Sequence, residues 1–191
     1  LSMPVYVLTG ASKRPDALTS GAQGTFVLGS FVRSWFYWTV SPVVRASLAV
    51  GLGPTFYNLL GVAFGIGAGV AFASGNVMLG GWGVLLGGMA DVLDGRIARA
   101  GGLADARGVF LDSTLDRFAE IGAFVGLAVL FRSSSFTLAM VVIAMGGSLL
   151  VSYARARGES QGVVCKLGVM QRAERLLLLG LGGLLDPTVS R

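Results

Sequence analysis

Runs of about twenty apolar residues recur along this chain, and they limit its fold more severely than any other feature. Hydrocarbon offers backbone amides no hydrogen-bond partner, so a lone segment crosses a bilayer as a helix of roughly 20 mostly apolar residues. Five runs reach or approach that length, at about 56–74, 77–93, 109–131, 136–153 and 176–185, the last being short as it stands. Only 13% of the residues are charged, against about 25% in an ordinary soluble domain. The expected fold class is therefore all-α, a polytopic transmembrane helix bundle. Thirty glycines suit it, because small residues let membrane helices approach closely.

Ahead of the first run, residues 25–52 mix Trp35, Phe36, Tyr37 and Trp38 with Arg33, Arg45 and Pro42. Aromatics among arginines suit the headgroup layer, so the segment reads as an interfacial juxtamembrane helix, kinked or interrupted at Pro42. A sixth span is the alternative, but two arginines at mid-depth would each cost about 2.5–3.5 kcal/mol. Residues 1–22 are mixed and broken by Gly10, Pro15 and Gly21, which reads as a cytosolic arm and not a cleavable signal. The remainder, 23–191, reads as a single transmembrane domain.

Basic residues orient the bundle. Arg96, Arg99 and Arg107 crowd one connection and Arg155, Arg157, Lys166, Arg172 and Arg175 another, while the Gly75-Asn76 connection has none. Both crowded turns are expected in the cytosol, in a multi-pass protein of the cell membrane. Five spans then leave the chain ending outside after Asp186-Pro187, with a last run that looks unfinished.

The net charge of +5 is spread between apolar runs, which argues against nucleic acid and for anionic substrates or lipid phosphates. A single cysteine, Cys165, excludes an internal disulfide, and there is no histidine. Acid-base or metal chemistry must then rest on carboxylates.

Against this background four aspartates fall inside or at the edge of expected spans, in DVLDGRIARAGGLADARGVFLDSTLD. Intramembrane carboxylates are costly, and the default reading is functional. Asp91 and Asp94 are three apart, and Asp112 and Asp116 four apart, so each pair projects from one face of its helix. Four converging carboxylates need a positive neutraliser. Oxygen-only ligands select hard cations, Mg2+ or Mn2+, with Ca2+ able to enter the same cage. Two such ions can clamp an attacking and a leaving oxygen. The competing reading is that the aspartates pair with Arg96, Arg99, Arg107 and Arg117 to join helices. Gly95 and Ala98 leave room beside the carboxylates for a bulky ligand, and Arg99 can pair with a carboxylate or phosphate. Gly108 either serves the same purpose or is ordinary turn chemistry.

Asp91, Asp94, Gly95, Ala98, Arg99, Gly108, Asp112 and Asp116 fill every fixed place of D-x2-D-G-x2-A-R-x8-G-x3-D-x3-D. The segment thereby resembles the signature of the CDP-alcohol phosphotransferase family, most strongly over 88–120, with a similar helix layout over about 54–185. The resemblance implies a CDP-linked donor, usually CDP-diacylglycerol, attacked by an alcohol with release of CMP. It implies Asp91, Asp94 and Asp112 as metal ligands, and Asp116 as the base that also touches metal. Gly95, Ala98, Arg99 and Gly108 would line the nucleotide pocket. Relatives are commonly homodimers and usually have six spans, so truncation would explain five. Many also carry Pro-Asn with a later Thr where this chain has Gly53-Pro54-Thr55-Phe56-Tyr57-Asn58, which leaves Pro54 and Asn58 outside the expected site.

The second basic turn has two readings. It follows from topology alone, or Arg155, Lys166, Arg172 and Arg175 form a pocket for a phosphorylated alcohol. The 153–175 segment resembles members making phosphatidylinositol phosphate or phosphatidylglycerol phosphate, and inositol phosphate is the preferred expectation. A transporter using the aspartates as an ion relay and a structural scaffold are the readings from other classes; neither needs small residues beside the carboxylates.

Overall fold

A computed structural model describes residues 29–162 and 172–185. They form six helices: α1 (Gly29–Val50), α2 (Pro54–Ala73), α3 (Val77–Ala100), α4 (Ala106–Leu130), α5 (Ser135–Ser160) and α6 (Arg172–Leu184). The 1–22 arm, residues 25–28 and Lys166 lie outside the described residues.

Local chemistry sets the helix ends. Gly51 adopts φ +78°, and the Leu52 N–H returns to the Ser47 carbonyl at 2.9 Å, closing α1 with a left-handed cap. Pro54 then opens α2 at a position where its missing N–H costs nothing. At the next turn the Asn76 side chain accepts from the Leu79 N–H at 3.2 Å and starts α3. The Asp105 carboxylate does the same for α4, accepting from the Gly108 N–H at 2.6 Å. Gly108 therefore takes part in ordinary capping, one of the two roles open to it from the sequence.

Helix α1 runs unbroken through Pro42. A proline leaves the carbonyl four residues earlier without its helical donor. Here the Ser41 hydroxyl donates to the Trp38 carbonyl at 2.8 Å, so the interruption allowed by the sequence does not occur. Helix α1 packs on α3 and the start of α2 through Val40, Val44, Tyr57, Leu93 and Ile97. Arg96 closes that seam. It is 3% exposed, stacks on the Tyr37 ring at 4.6 Å and donates to the Tyr37 carbonyl at 2.5 Å.

The centre of the bundle is α2 against α3 and α4, around Ala68, Phe72, Val77, Val84 and Ala123. Glycines permit the approach. A Cβ at Gly65 would stand 2.6 Å from Ala119 Cα, and one at Gly126 would strike the Gly69 backbone. On the other side α3 meets α6 where Gly81 faces Gly180 and Gly183. Helix α5 is almost wholly exposed, with Ser148 its buried residue, as suits a lipid-facing helix.

Among the described residues, three helices are long and apolar enough to cross a membrane, α2, α3 and α5, where the sequence suggested five spans. Helix α4 has the length, but between its start and Glu120 it carries Arg107, Asp112, Asp116, Arg117 and Glu120 itself. Helix α6 has 13 residues, fewer than a span needs. Helices α3 and α5 also outlast their apolar runs, continuing to Ala100 and Ser160. The last turns of α3, the first turns of α4 and the start of α6 build the site.

Candidate active site

Asp91 and Asp94 stand on the last turns of α3, and Asp112 and Asp116 on the first turns of α4. Carboxylate oxygens of Asp91, Asp112 and Asp116 all lie within 4.8 Å of one another. Asp94 falls outside that trio but is buried, 4% exposed, within electrostatic reach of the other three. Both helix faces thus turn their carboxylates toward one point, as the three- and four-residue spacings require.

Helix α6 brings a counter-charge. Arg172 Nη1 donates to Asp91 Oδ1 at 2.6 Å and also to Asp116 Oδ2. Arg117 instead faces Glu120 at 3.8 Å, and the Arg99 guanidinium lies over Gly95, 3.4 Å from where a Cβ would stand. The ion pairs described for the aspartates therefore come from α6, not from the cations of their own segment.

Three observations fit a divalent cation among these residues. The trio is close enough to share an ion, Asp112 Oδ1 is buried with no hydrogen-bond partner among the described residues, and Arg172 bridges two carboxylates where a cation would. Hard oxygen donors of this kind suit Mg2+ or Mn2+.

Beside the cluster lies a cavity of about 490 Å³, lined by Asp116, Arg172 and Arg175, with Glu120 and Ser148 also in its wall. That volume lies within the range of small-molecule sites, roughly 300–1,000 Å³. Arg175 Nη2 donates to Ser152 Oγ at 3.4 Å, linking α6 to α5. Of the four basic residues expected around a phosphorylated alcohol, Arg172 and Arg175 come together here. Arg155 is exposed and pairs with Glu159 on its own helix at 3.0 Å, and Lys166 is not described.

Sequence reasoning passed over Glu120. Glu120 stands four residues after Asp116, on the same face of α4, and is 5% exposed. A further carboxylate inside an expected span was the available signal. Asn58 is 8% exposed, and its Oδ1 has no hydrogen-bond partner among the described residues. The sequence left it outside the expected site, and it belongs to neither the carboxylate trio nor the cavity wall.

A membrane helix bundle with an acidic, metal-fitting cluster beside a cavity that carries two arginines fits a transferase acting on phosphate groups. The family model for CDP-alcohol phosphatidyltransferase matches residues 52–186, and the chain belongs to that family. It is 35% identical over 149 residues to an archaetidylinositol phosphate synthase of Methanothermobacter thermautotrophicus, covering 75% of this chain and 74% of that protein. It is 33% identical over 160 residues to a phosphatidylinositol phosphate synthase of Mycobacteroides abscessus, covering 82% and 73%. The structure resembles the phosphatidylinositol phosphate synthase of Mycobacterium tuberculosis in its complex with manganese and citrate, with a TM-score of 0.69, 30% identity and coverage of 78% and 74%. The same enzyme with CDP-diacylglycerol bound gives a TM-score of 0.67, covering 78% of each chain. The chain is thus a membrane-embedded, metal-dependent enzyme, and the transporter and scaffold readings fall away.

Proposed function

We propose that this enzyme transfers the phosphatidyl group of CDP-diacylglycerol to a hydroxyl of inositol phosphate, releasing CMP. One observation carries the choice of a phosphorylated alcohol: Arg172 and Arg175 line the same cavity as Asp116. Guanidinium forks match phosphate oxygens, which a neutral alcohol does not offer. Inositol phosphate is preferred over glycerol 3-phosphate because the relatives reported above are named for inositol phosphate lipids.

In this reading Asp91, Asp94, Asp112 and Asp116 hold the divalent ions. Bound there, Mg2+ or Mn2+ neutralises the donor pyrophosphate and withdraws charge from the reacting phosphorus. Asp116, in the cavity wall, takes the proton from the attacking hydroxyl as its oxygen bonds to the phosphorus attached to the diacylglycerol. The bond to the CMP oxygen breaks, and CMP leaves with the electron pair. Gly95 and Ala98 leave room for the nucleotide along α3, Arg99 pairs with its phosphate, and Gly108 keeps the start of α4 low beside it. Arg172 and Arg175 hold the phosphate of the acceptor alcohol; of the two other cations expected with them, Arg155 pairs with Glu159 and Lys166 lies outside the described residues.

We infer further that the site faces the cytosol in the cell membrane. Support comes from the basic residues around the 100–107 connection and the end of α5, which the Asp91–Arg172 and Arg175–Ser152 bonds gather at one end of the bundle. We infer also one transmembrane domain over 23–191 behind a cytosolic arm at 1–22, and a homodimer, for which exposed apolar faces on α4 and α5 leave room.

The purified chain in proteoliposomes, given CDP-diacylglycerol and labelled inositol phosphate, glycerol 3-phosphate or serine, tests the reading. Labelled lipid is expected from inositol phosphate. Label from glycerol 3-phosphate or serine alone refutes the choice.

A further inference from the structure

One turn along α4 from Asp116, the cavity wall carries a second carboxylate that the transfer reaction does not use. Glu120 is 5% exposed, in the apolar part of the bundle, where an ionisable group is costly to keep. Ser148 of α5, also 5% exposed, donates its hydroxyl hydrogen to Glu120 Oε1. Glu120 Oε2 has no hydrogen-bond partner among the described residues. Arg117 Nη1 faces it at 3.8 Å, beyond bonding distance, and is itself unbonded among those residues. Arg175 is within Coulombic range.

An ionised carboxylate has about four lone-pair sites for donors. A group that served only to fasten α5 to α4 would fill them across that seam. Glu120 lines the cavity, and its Oε2 is covered by neighbouring atoms with no hydrogen-bond partner among the described residues. The donors it lacks are what hydroxyl groups supply. Asp116 and Glu120 are separated along the helix axis by about 6 Å, a span that the ring of a cyclic polyol can bridge.

We propose that Glu120, oriented by Ser148, is the subsite that recognises the non-reacting hydroxyls of a polyol phosphate bound in this cavity. The proposal rests on the transfer reaction inferred above and deepens it. The phosphate of the acceptor alcohol lies on Arg172 and Arg175, its reacting hydroxyl at Asp116, and further hydroxyls donate to Glu120. Discrimination follows from chemistry. Serine has no hydroxyl left once it reacts, so it leaves a buried carboxylate unpaired, and sites built to bond a hydroxyl reject ligands lacking it strongly.

The test compares inositol phosphate with its monodeoxy analogues, using the purified full chain and CDP-diacylglycerol. With the wild type, at least one analogue is expected to lose roughly tenfold to a hundredfold in kcat/KM, as for one hydrogen bond to a charged group. Glu120→Gln is expected to raise the KM for inositol phosphate by a similar factor and leave the KM for CDP-diacylglycerol unchanged. It should also lose its sensitivity to that particular analogue. A role confined to helix packing predicts the opposite, equal losses on every analogue with the selectivity pattern of the wild type retained, and that result would overturn the proposal. Uniform tolerance of all analogues by the wild type, which needs no variant to fold, would overturn it alone. Failure of the wild type to use inositol phosphate at all would overturn the reaction reading and this subsite together.

Discussion

Replacing Gly65 by alanine tests the packing that positions the site. A Cβ there would stand 2.5 Å from Ala119 Cβ, 2.6 Å from its Cα and 2.7 Å from its carbonyl oxygen. Ordinary carbon contacts lie at about 3.5–4.0 Å, so α2 and α4 must part by about 1 Å at this level. Backbone atoms cannot swing aside as a flexible side chain can, which puts the cost near the upper end of overpacking, about 3 kcal/mol. Alanine returns about 1 kcal/mol in helix propensity. The net loss of about 2 kcal/mol corresponds to roughly 4–8 °C in Tm for a chain of this size. Ala119 lies one turn from Asp116 on α4, whereas Asp91 belongs to α3. The wedge therefore changes the Asp91–Asp116 spacing, and a 1 Å misplacement at a reacting centre can cost about a hundredfold in rate.

Gly67 provides the control on the same helix. Its added Cβ would meet nothing within 4 Å among the described residues, so Gly67→Ala should melt at or slightly above the wild-type temperature with unchanged turnover. Thermal melts in detergent and initial rates of CMP release in proteoliposomes read both variants. If Gly65→Ala melted with Gly67→Ala and kept the wild-type rate, the close α2–α4 approach and its link to the site would be refuted.

Two further outcomes are expected. Asp116→Asn should abolish CMP release while keeping the melting temperature within a few degrees, because a neutral amide of the same shape cannot take the proton; retained turnover removes Asp116 as the base. Arg172→Gln should tighten Mn2+ binding by roughly tenfold, read by electron paramagnetic resonance of the free ion, because the ion no longer displaces a bridge worth about 1.5 kcal/mol; unchanged or weaker affinity shows that arginine and metal do not compete.

The carboxylates were legible because their signals are local. Each aspartate pair is set by helix periodicity, and the helix carrying it was evident from an apolar run. Helix α3 nevertheless extends past Leu93, where that run ends, since hydrophobicity marks what lipid touches and not where hydrogen bonding stops. Contacts between distant segments were illegible. Arg172 lies 81 residues from Asp91 and 56 from Asp116, and no periodicity links them. Arg96 counted as a loop cation for orienting the bundle, yet it is buried on Tyr37. A cation and a distant aromatic carry no shared pattern in sequence. Glu120 carried a local signal, but its meaning needed the cavity, which only the assembled helices create.

The charges around the site explain why arginine alone does not complete it. Asp91, Asp94, Asp112 and Asp116 bring four negative charges against the one guanidinium that, among the described residues, bridges two of them, a formal balance of −4 + 1 = −3 when all are ionised. At the 4.8 Å that bounds the trio, each like-charged pair repels by about 3 kcal/mol at an effective dielectric of 20. Among the described residues Arg96 stacks on Tyr37 and Arg99 lies over Gly95, while Arg117, facing Glu120, also acts on Asp112. A structural joint would have balanced its charges locally. This cluster keeps a deficit that divalent ions can fill, and in the proposed reaction filling it would free Arg172 for the phosphate of the acceptor, coupling metal loading to the acceptor pocket.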